Sequence, residues 1–201
     1  MLRRGKGGAE SRPVRYDRDR LAVEAARRDP HAFEALYRKY VAQVYSFALY
    51  ELRNPHAAED LTAQVFLRAL TGLPGFREQG AGEESSFRVW LFQICRNSIS
   101  NERRRQRRHP EAPLDTVLDH AAPDDVSDQA ADRQELARAL AAIHALPAER
   151  RRALVLRFVH EMTAREIGQV LGKSESAVRV TIHRALRQVT EQLRQPRGPA
   201  H

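Results

Sequence analysis

Residues 163–187 read TAREIGQVLGKSESAVRVTIHRALR, and the fold follows from how this stretch divides. Thr163 and Glu166 have capping-box spacing: the hydroxyl takes an orphan amide while the carboxylate reaches back. Ile167, Val170 and Leu171 then share one helical face, and Gly172 suits the left-handed residue that ends a helix. Ser174 is placed to cap a second helix. Its expected apolar stripe is Val178, Ile182, Leu186 and Val189, continued by Leu193. Two short amphipathic helices about a tight glycine-containing turn predict a helix-turn-helix. The second helix would expose Ser174, Glu175, Ser176, Arg179, His183, Arg184 and Arg187. Apart from Glu175, these groups suit base edges and phosphates. An ordinary helical hairpin with a solvated basic face is the competing reading.

The rest of the chain favours the nucleic-acid reading. A formal charge of +8 over 201 residues points to a polyanionic partner. All the basic residues except Lys6, Lys39 and Lys173 are arginines, which suit bidentate contact with phosphate or guanine. The length suits one domain or two small ones, with mass for two modest cores. Cys95, the lone cysteine, excludes an intramolecular disulfide and a cysteine-cluster metal site. No apolar run is long enough to cross a membrane, and no signal-peptide pattern is found, so the cytoplasm is the expected setting.

Outward from the helix-turn-helix, residues 1–17 are glycine-rich and basic, and predict a disordered arm. A short helix is expected from about Arg18 to Arg28. Asp29-Pro30 and Asn54-Pro55 each pair a cap with a first-turn proline. The first opens a helix to Arg53 carrying Phe33, Leu36, Tyr37, Tyr40, Val41, Val44 and Ala48 as its apolar stripe. The second opens a helix to about Thr71, whose polar face is Glu59, Asp60, Gln64 and Arg68. A loop follows from Leu73 to Ser86.

The helix from Ser86 to Arg108 buries Phe87, Trp90, Leu91, Ile94, Cys95 and Ser98, then turns basic. Arg96, Asn97, Asn101, Arg103, Arg104, Arg105, Arg107 and Arg108 lie along it. Arg103/Arg107 and Arg104/Arg108 are like-charged i,i+4 pairs, each costing about 0.2–0.5 kcal/mol in an isolated helix. A phosphate backbone would relieve that repulsion. Residues 109–131 reverse the sign, with Glu111, Asp115, Asp119, Asp124, Asp125 and Asp128 and no lysine or arginine. Pro110, Pro113 and Pro123 oppose a continuous helix there, so the stretch reads as an acidic linker. A helix is expected from Asp132 to Ala145. Another begins at Pro147 with Leu154, Val155 and Phe158 toward the core, and residues 196–201 form a tail. The fold class is therefore all-α: two small helical domains, 18–108 and 132–195, joined by an acidic linker.

No catalytic constellation emerges. His160-Glu161 lacks the second histidine of a zinc-protease helix. Residues 168–174, GQVLGKS, fall one residue short of a phosphate-binding loop and follow no strand. The eight histidines show no metal-ligand spacing. Neither a metal, another cofactor nor enzymatic activity is expected. A nucleolytic enzyme therefore lacks its cluster, while a stand-alone helix-turn-helix repressor leaves the Ala58–Ala69 polar face and the arginine helix without a role.

In order and spacing, several stretches resemble the extracytoplasmic-function (ECF) group of bacterial sigma factors, from about Asp17 to Leu193. They are Asp29-Pro-His-Ala-Phe-Glu-Ala-Leu-Tyr37, Ala58-Glu-Asp-Leu-Thr62 with Val65-Phe-Leu-Arg-Ala69, and Phe87-Arg-Val-Trp-Leu-Phe-Gln-Ile94 with Arg96-Asn97. The arginine cluster 103–108, Leu146-Pro-Ala-Glu-Arg150, and Glu166-Ile167 with Arg184-Ala185 complete the set. The resemblance implies a promoter-melting domain over 18–108 and an upstream-element domain over 132–195. It implies that Glu59, Asp60, Gln64 and Arg68 bind core RNA polymerase. Arg96, Asn97, Asn101, Arg103, Arg104, Arg107 and Arg108 would meet the minus-ten element. Ser174, Glu175, Ser176, Arg179, His183, Arg184 and Arg187 would meet the minus-thirty-five element. Core polymerase and promoter DNA are the implied partners, with an anti-sigma factor as a further one the family allows and no membrane. Ala63-Gln64 stands where family members commonly carry Gln-Glu, and the 77–86 loop is longer than usual.

Overall fold

A computed structural model describes residues 19–78, 85–108 and 129–194. The basic arm, residues 79–84 of the long loop, residues 109–128 of the acidic stretch and the tail lie outside the described residues. Within them the chain is all-α. Its helices are α1 (Arg20–Arg28), α2 (Phe33–Leu52), α3 (Pro55–Gly72), α4 (Ser86–Arg108), α5 (Gln129–His144), α6 (Ala148–Leu154), α7 (Ala164–Leu171) and α8 (Glu175–Arg194).

The helix boundaries follow local chemistry. The Asp29 carboxylate accepts the His31 amide at 2.9 Å, and one 3-10 turn, Pro30–Ala32, leads into α2. Arg53 closes α2 in the left-handed region at φ 55, and Asn54 accepts the Ala57 amide at 3.0 Å to open α3. The α4 cap is Ser85, whose hydroxyl accepts the Arg88 amide at 2.9 Å. Asp19 is buried and accepts hydrogen bonds from Tyr40 and Ser85, with Lys39 paired to it. One carboxylate thus ties the start of α1 to α2 and α4. Between these helices, Phe87 meets Phe33 and Phe76 edge-on at centroid distances of 6.3 and 6.0 Å. Each such fully buried ring contributes about 1.5–3 kcal/mol.

In the C-terminal unit α5, α6 and α7 all pack on α8. Helix α5 starts three residues before the expected Asp132. After α6 the chain takes a π-helical turn, Val155–Val159, closed by the His160 amide on the Val155 carbonyl at 3.2 Å. The wider turn rotates the positions after Val155. Phe158, expected to face the core, is consequently 59% exposed, and Met162 is buried instead.

The two units share one core. Phe47 of α2 and Phe92 of α4 approach the His160 ring at 5.8 and 5.2 Å. The buried apolar cluster runs on through Leu156, Met162, Ile167, Val170 and Val178. Helix α4 is therefore covered on two sides, by α2 and α3 and by α7. This second cover corrects the burial expected for α4. Val89, Phe92 and Ile99 are buried, whereas Trp90 and Ile94 are half-buried. On α2, Tyr37 is partly exposed at the margin of the stripe and Phe47 lies inside it.

Candidate nucleic-acid and polymerase interface

The helix-turn-helix is built as its residues require. The Thr163 hydroxyl accepts the Glu166 amide at 3.1 Å, and the Glu166 carboxylate accepts the Thr163 amide at 2.8 Å. Gly172 ends α7 at φ 70. Gly168 permits the tight turn, because a Cβ there would lie 2.6 Å from the Lys173 carbonyl oxygen. The Ser174 hydroxyl accepts the Ala177 amide at 3.2 Å and caps α8. The buried stripe of α8 is Val178, Ile182, Ala185 and Val189, with Ile182 and Val189 partly covered. Leu186 is 43% exposed, not buried as expected, because Ala185 is the residue seven positions from Val178.

All seven candidate residues at the start of α8 are exposed: Ser174, Glu175, Ser176, Arg179, His183, Arg184 and Arg187. They are not equally available. Arg179 is paired with Glu175 one turn back, and Arg187 with Glu191 at 2.8 Å. Such exposed i,i+4 pairs hold the side chain only weakly, and a phosphate competes readily with the carboxylate.

The seven candidate residues on α4 fall on two faces. Asn97, Asn101, Arg104 and Arg108 follow 4-3-4 spacing, share one side of the helix and are exposed. Arg96, Arg103 and Arg107 follow the other side. Arg96 is half-buried beside Gly172, and its guanidinium donates to Asn97 Oδ1 at 3.2 Å. Arg103 donates to the Glu51 backbone carbonyl at 2.8 Å and pairs with the Glu51 carboxylate at 2.7 Å. Part of the like-charge strain along α4 is therefore relieved inside the chain. Glu102 relieves more of it by accepting from Arg105 at 3.0 and 2.9 Å.

On α3, Glu59, Asp60, Gln64 and Arg68 are exposed on one face, and Leu67, 62% exposed, lies among them. Arg68 also donates to the Ser98 hydroxyl at 2.9 Å, which fixes this face relative to α4. Faces on α3, α4 and α8 are thus presented by a single packed body.

The residues that hold that body together were not singled out from the sequence. Glu51 accepts both arms of Arg152 at 2.9 and 2.7 Å, across the boundary between the two units. Its signal was a carboxylate at the end of the apolar run Val44, Phe47, Ala48, Glu51. Gln93 donates to the Gln169 carbonyl at 2.9 Å, and Arg88 donates to the His160 carbonyl. His144 stacks on Tyr50, and its Nδ1 lies 3.0 Å from the Arg53 guanidinium. Burial, with Arg88 nearby, lowers the His160 imidazole to about 4. Burial also pushes the Cys95 thiol far up, so that it stays protonated. Among the described residues no group of three His, Cys, Asp or Glu side chains could hold a metal ion. No helix among them is long and apolar enough to cross a membrane.

A helix-turn-helix behind a basic helix, on an all-α body, defines a helical DNA-binding class of protein. Residues 36–109 match the family model of Sigma-70 region 2, and residues 136–189 match that of Sigma-70, region 4. The ECF RNA polymerase sigma factor ShbA of Streptomyces griseus is 34% identical over 137 residues, covering 65% of this chain and 69% of that protein. BldN of Streptomyces coelicolor, also an ECF RNA polymerase sigma factor, is 30% identical over 168 residues, 83% of this chain. The matched part spans 62% of BldN's length. The chain belongs to the ECF group of sigma factors, which direct RNA polymerase to promoters and initiate DNA-templated transcription. Sigma factors are non-enzymatic regulatory subunits. The fold agrees with CnrH, solved in complex with the cytosolic domain of CnrY (TM-score 0.61, 23% identity, 87% of this chain and 96% of that one). It agrees equally with the sigma factor RpoE of Bartonella quintana in complex with the anti-sigma factor NepR (TM-score 0.61, 21% identity, 82% and 98%).

Proposed function

We propose that this chain is a dissociable promoter-recognition subunit acting in the cytoplasm, with no catalysis of its own. Residues 18–108 bind core polymerase and melt the minus-ten element, 109–131 serve as an acidic linker, and 132–195 read the minus-thirty-five element. The single observation that carries this reading is the outer side of α3. Glu59, Asp60, Gln64 and Arg68 surround an exposed Leu67 on a helix whose other side is fully committed to the core. A repressor that binds DNA alone has no use for such a surface. On α4, Asn97, Asn101, Arg104 and Arg108 form the open minus-ten face, with Arg107 beside it. Arg96, which lies beside Gly172, joins them once the contact with the C-terminal unit is released, whereas Arg103 stays tied to Glu51 of α2 and acts from there.

That release follows from length. The two promoter elements lie about 25 base pairs apart, or about 85 Å of duplex. Here α4 packs directly on α7, so one packed body does not span both elements. The 20 residues between Arg108 and Gln129 reach at most about 70 Å when extended, and the remaining separation comes from the lengths of α4 and α8 themselves. An anti-sigma factor is a further partner, by likeness to the sigma factor RpoE solved with the anti-sigma factor NepR.

The test is competition for core polymerase followed by transcription in vitro. Asp60→Ala should weaken core binding while helical content is unchanged. Undiminished binding would remove the α3 assignment, and tight duplex binding without polymerase would favour a stand-alone repressor.

A further inference from the structure

One residue on the outer face of α8 has no polar role. With Val178, Ile182, Ala185 and Val189 turned inward, the opposite side of the helix runs through Ser176, Val180, His183, Arg184 and Arg187. Val180 sits at its middle, in the second turn, and is 48% exposed. Its neighbours are hydroxyl, imidazole and guanidinium groups, and two flanking arginines are drawn along the helix toward Glu175 and Glu191. The next hydroxyl, that of Thr181, is turned back on the Ala177 carbonyl at 2.8 Å. The centre of the face is therefore an apolar spot in a polar, basic ring. Valine is also a poorer choice than alanine or arginine at an exposed helical position, so helix stability does not explain it.

In the major groove one base carries an apolar mark: thymine, through its C5 methyl group. We propose that Val180 reads a thymine methyl in the upstream promoter element, making it a specificity-determining residue distinct from the arginines around it. This rests on the assignment of α8 to the minus-thirty-five element. Val180 closes over the methyl group and excludes water from it, while His183 and Arg184 serve the adjacent bases or phosphates. The contact selects thymine over cytosine at one position, on either strand.

The experiment uses the full chain with core polymerase. A library randomised over the upstream element first identifies the positions at which thymine is preferred. Each preferred thymine is then replaced singly by deoxyuridine, which keeps every hydrogen-bonding group and lacks only the methyl. Transcription by the wild type should fall about four-fold at one position, the worth of one buried methyl group. Val180→Ala should be indifferent to that replacement, and Val180→Thr, which keeps one methyl, should retain part of the sensitivity. If deoxyuridine has no effect at any preferred thymine, or Val180→Ala responds as the wild type does, Val180 is not the reader. A library with no upstream preference at all would overturn the α8 assignment and the Val180 proposal together.

Discussion

Replacing Glu51 with glutamine should loosen the joint between the two units, and the size of the effect can be worked from its contacts. The Glu51 side chain is almost fully buried and serves two guanidinium groups, Arg152 from the C-terminal unit and Arg103 from α4. Glutamine keeps the volume and one acceptor oxygen but leaves two cations facing a neutral amide. Breaking a fully buried pair in this way costs about 3–5 kcal/mol. Here the Arg103 and Arg152 side chains remain 34% and 21% exposed, respectively, so water takes over part of their solvation. A loss of about 2–3 kcal/mol is expected. At about 2–4 °C per kcal/mol for a chain of this size, the melting temperature should fall by about 4–12 °C. A double-mutant cycle with Arg152→Met isolates the part that crosses the boundary, and the two changes should be strongly non-additive. Dyes at the exposed positions 71 and 190 should move apart in Glu51→Gln. Additive effects, or a melting shift below 1 °C with an unchanged dye distance, would refute the joint.

Protonation of His160 should open the same joint. Its imidazole is held at about 4 when packed and returns toward 6.5 when exposed. Above pH 6.5 neither state binds the proton and packing is at full strength. Between 6.5 and 4 only the open state binds it, so packing weakens as pH falls, by up to about 3 kcal/mol. The dye distance should therefore lengthen from pH 7 to pH 5 in the wild type and not in His160→Gln. Gly168→Ala should destabilise the helix-turn-helix by about 1–3 kcal/mol, because its Cβ meets a backbone oxygen that cannot move aside, as thermal unfolding would show. Arg104→Ala with Arg108→Ala should slow promoter opening, read by permanganate footprinting, and leave core binding intact; unchanged opening would remove that face from the minus-ten contact.

Much of this was legible because the signals were local. Asp29-Pro30, Asn54-Pro55, the Thr163–Glu166 box and Gly172 each act within a few residues, and every one forms as its spacing requires. The exposed faces of α3 and α8 were legible for the same reason, since a helix that buries one stripe must show the other. Leu186 failed because choosing between two adjacent positions depends on which one the neighbouring helix actually meets. Phe158 failed because a π-helical turn has no strong sequence signature and shifts everything after it.

What periodicity could not supply is a contact between segments far apart in the chain. Phe92 looks surplus if α4 has one apolar face, and it becomes necessary once α7 covers a second. Glu51 looks misplaced on an apolar stripe until Arg152, 101 positions later, arrives to meet it. His160 reads as half of a failed metal motif, yet its ring fills the gap between Phe47 and Phe92. These three residues share a property that explains both their obscurity and their use. Each sits on a surface apolar enough to bury yet interrupted by ionisable groups. A joint made of hydrocarbon alone would be harder to part, whereas one that buries a carboxylate between two arginines and an imidazole between two rings is sensitive to charge. If α4 and α8 read the two promoter elements as proposed, about 85 Å apart, the chain needs a joint of that second kind.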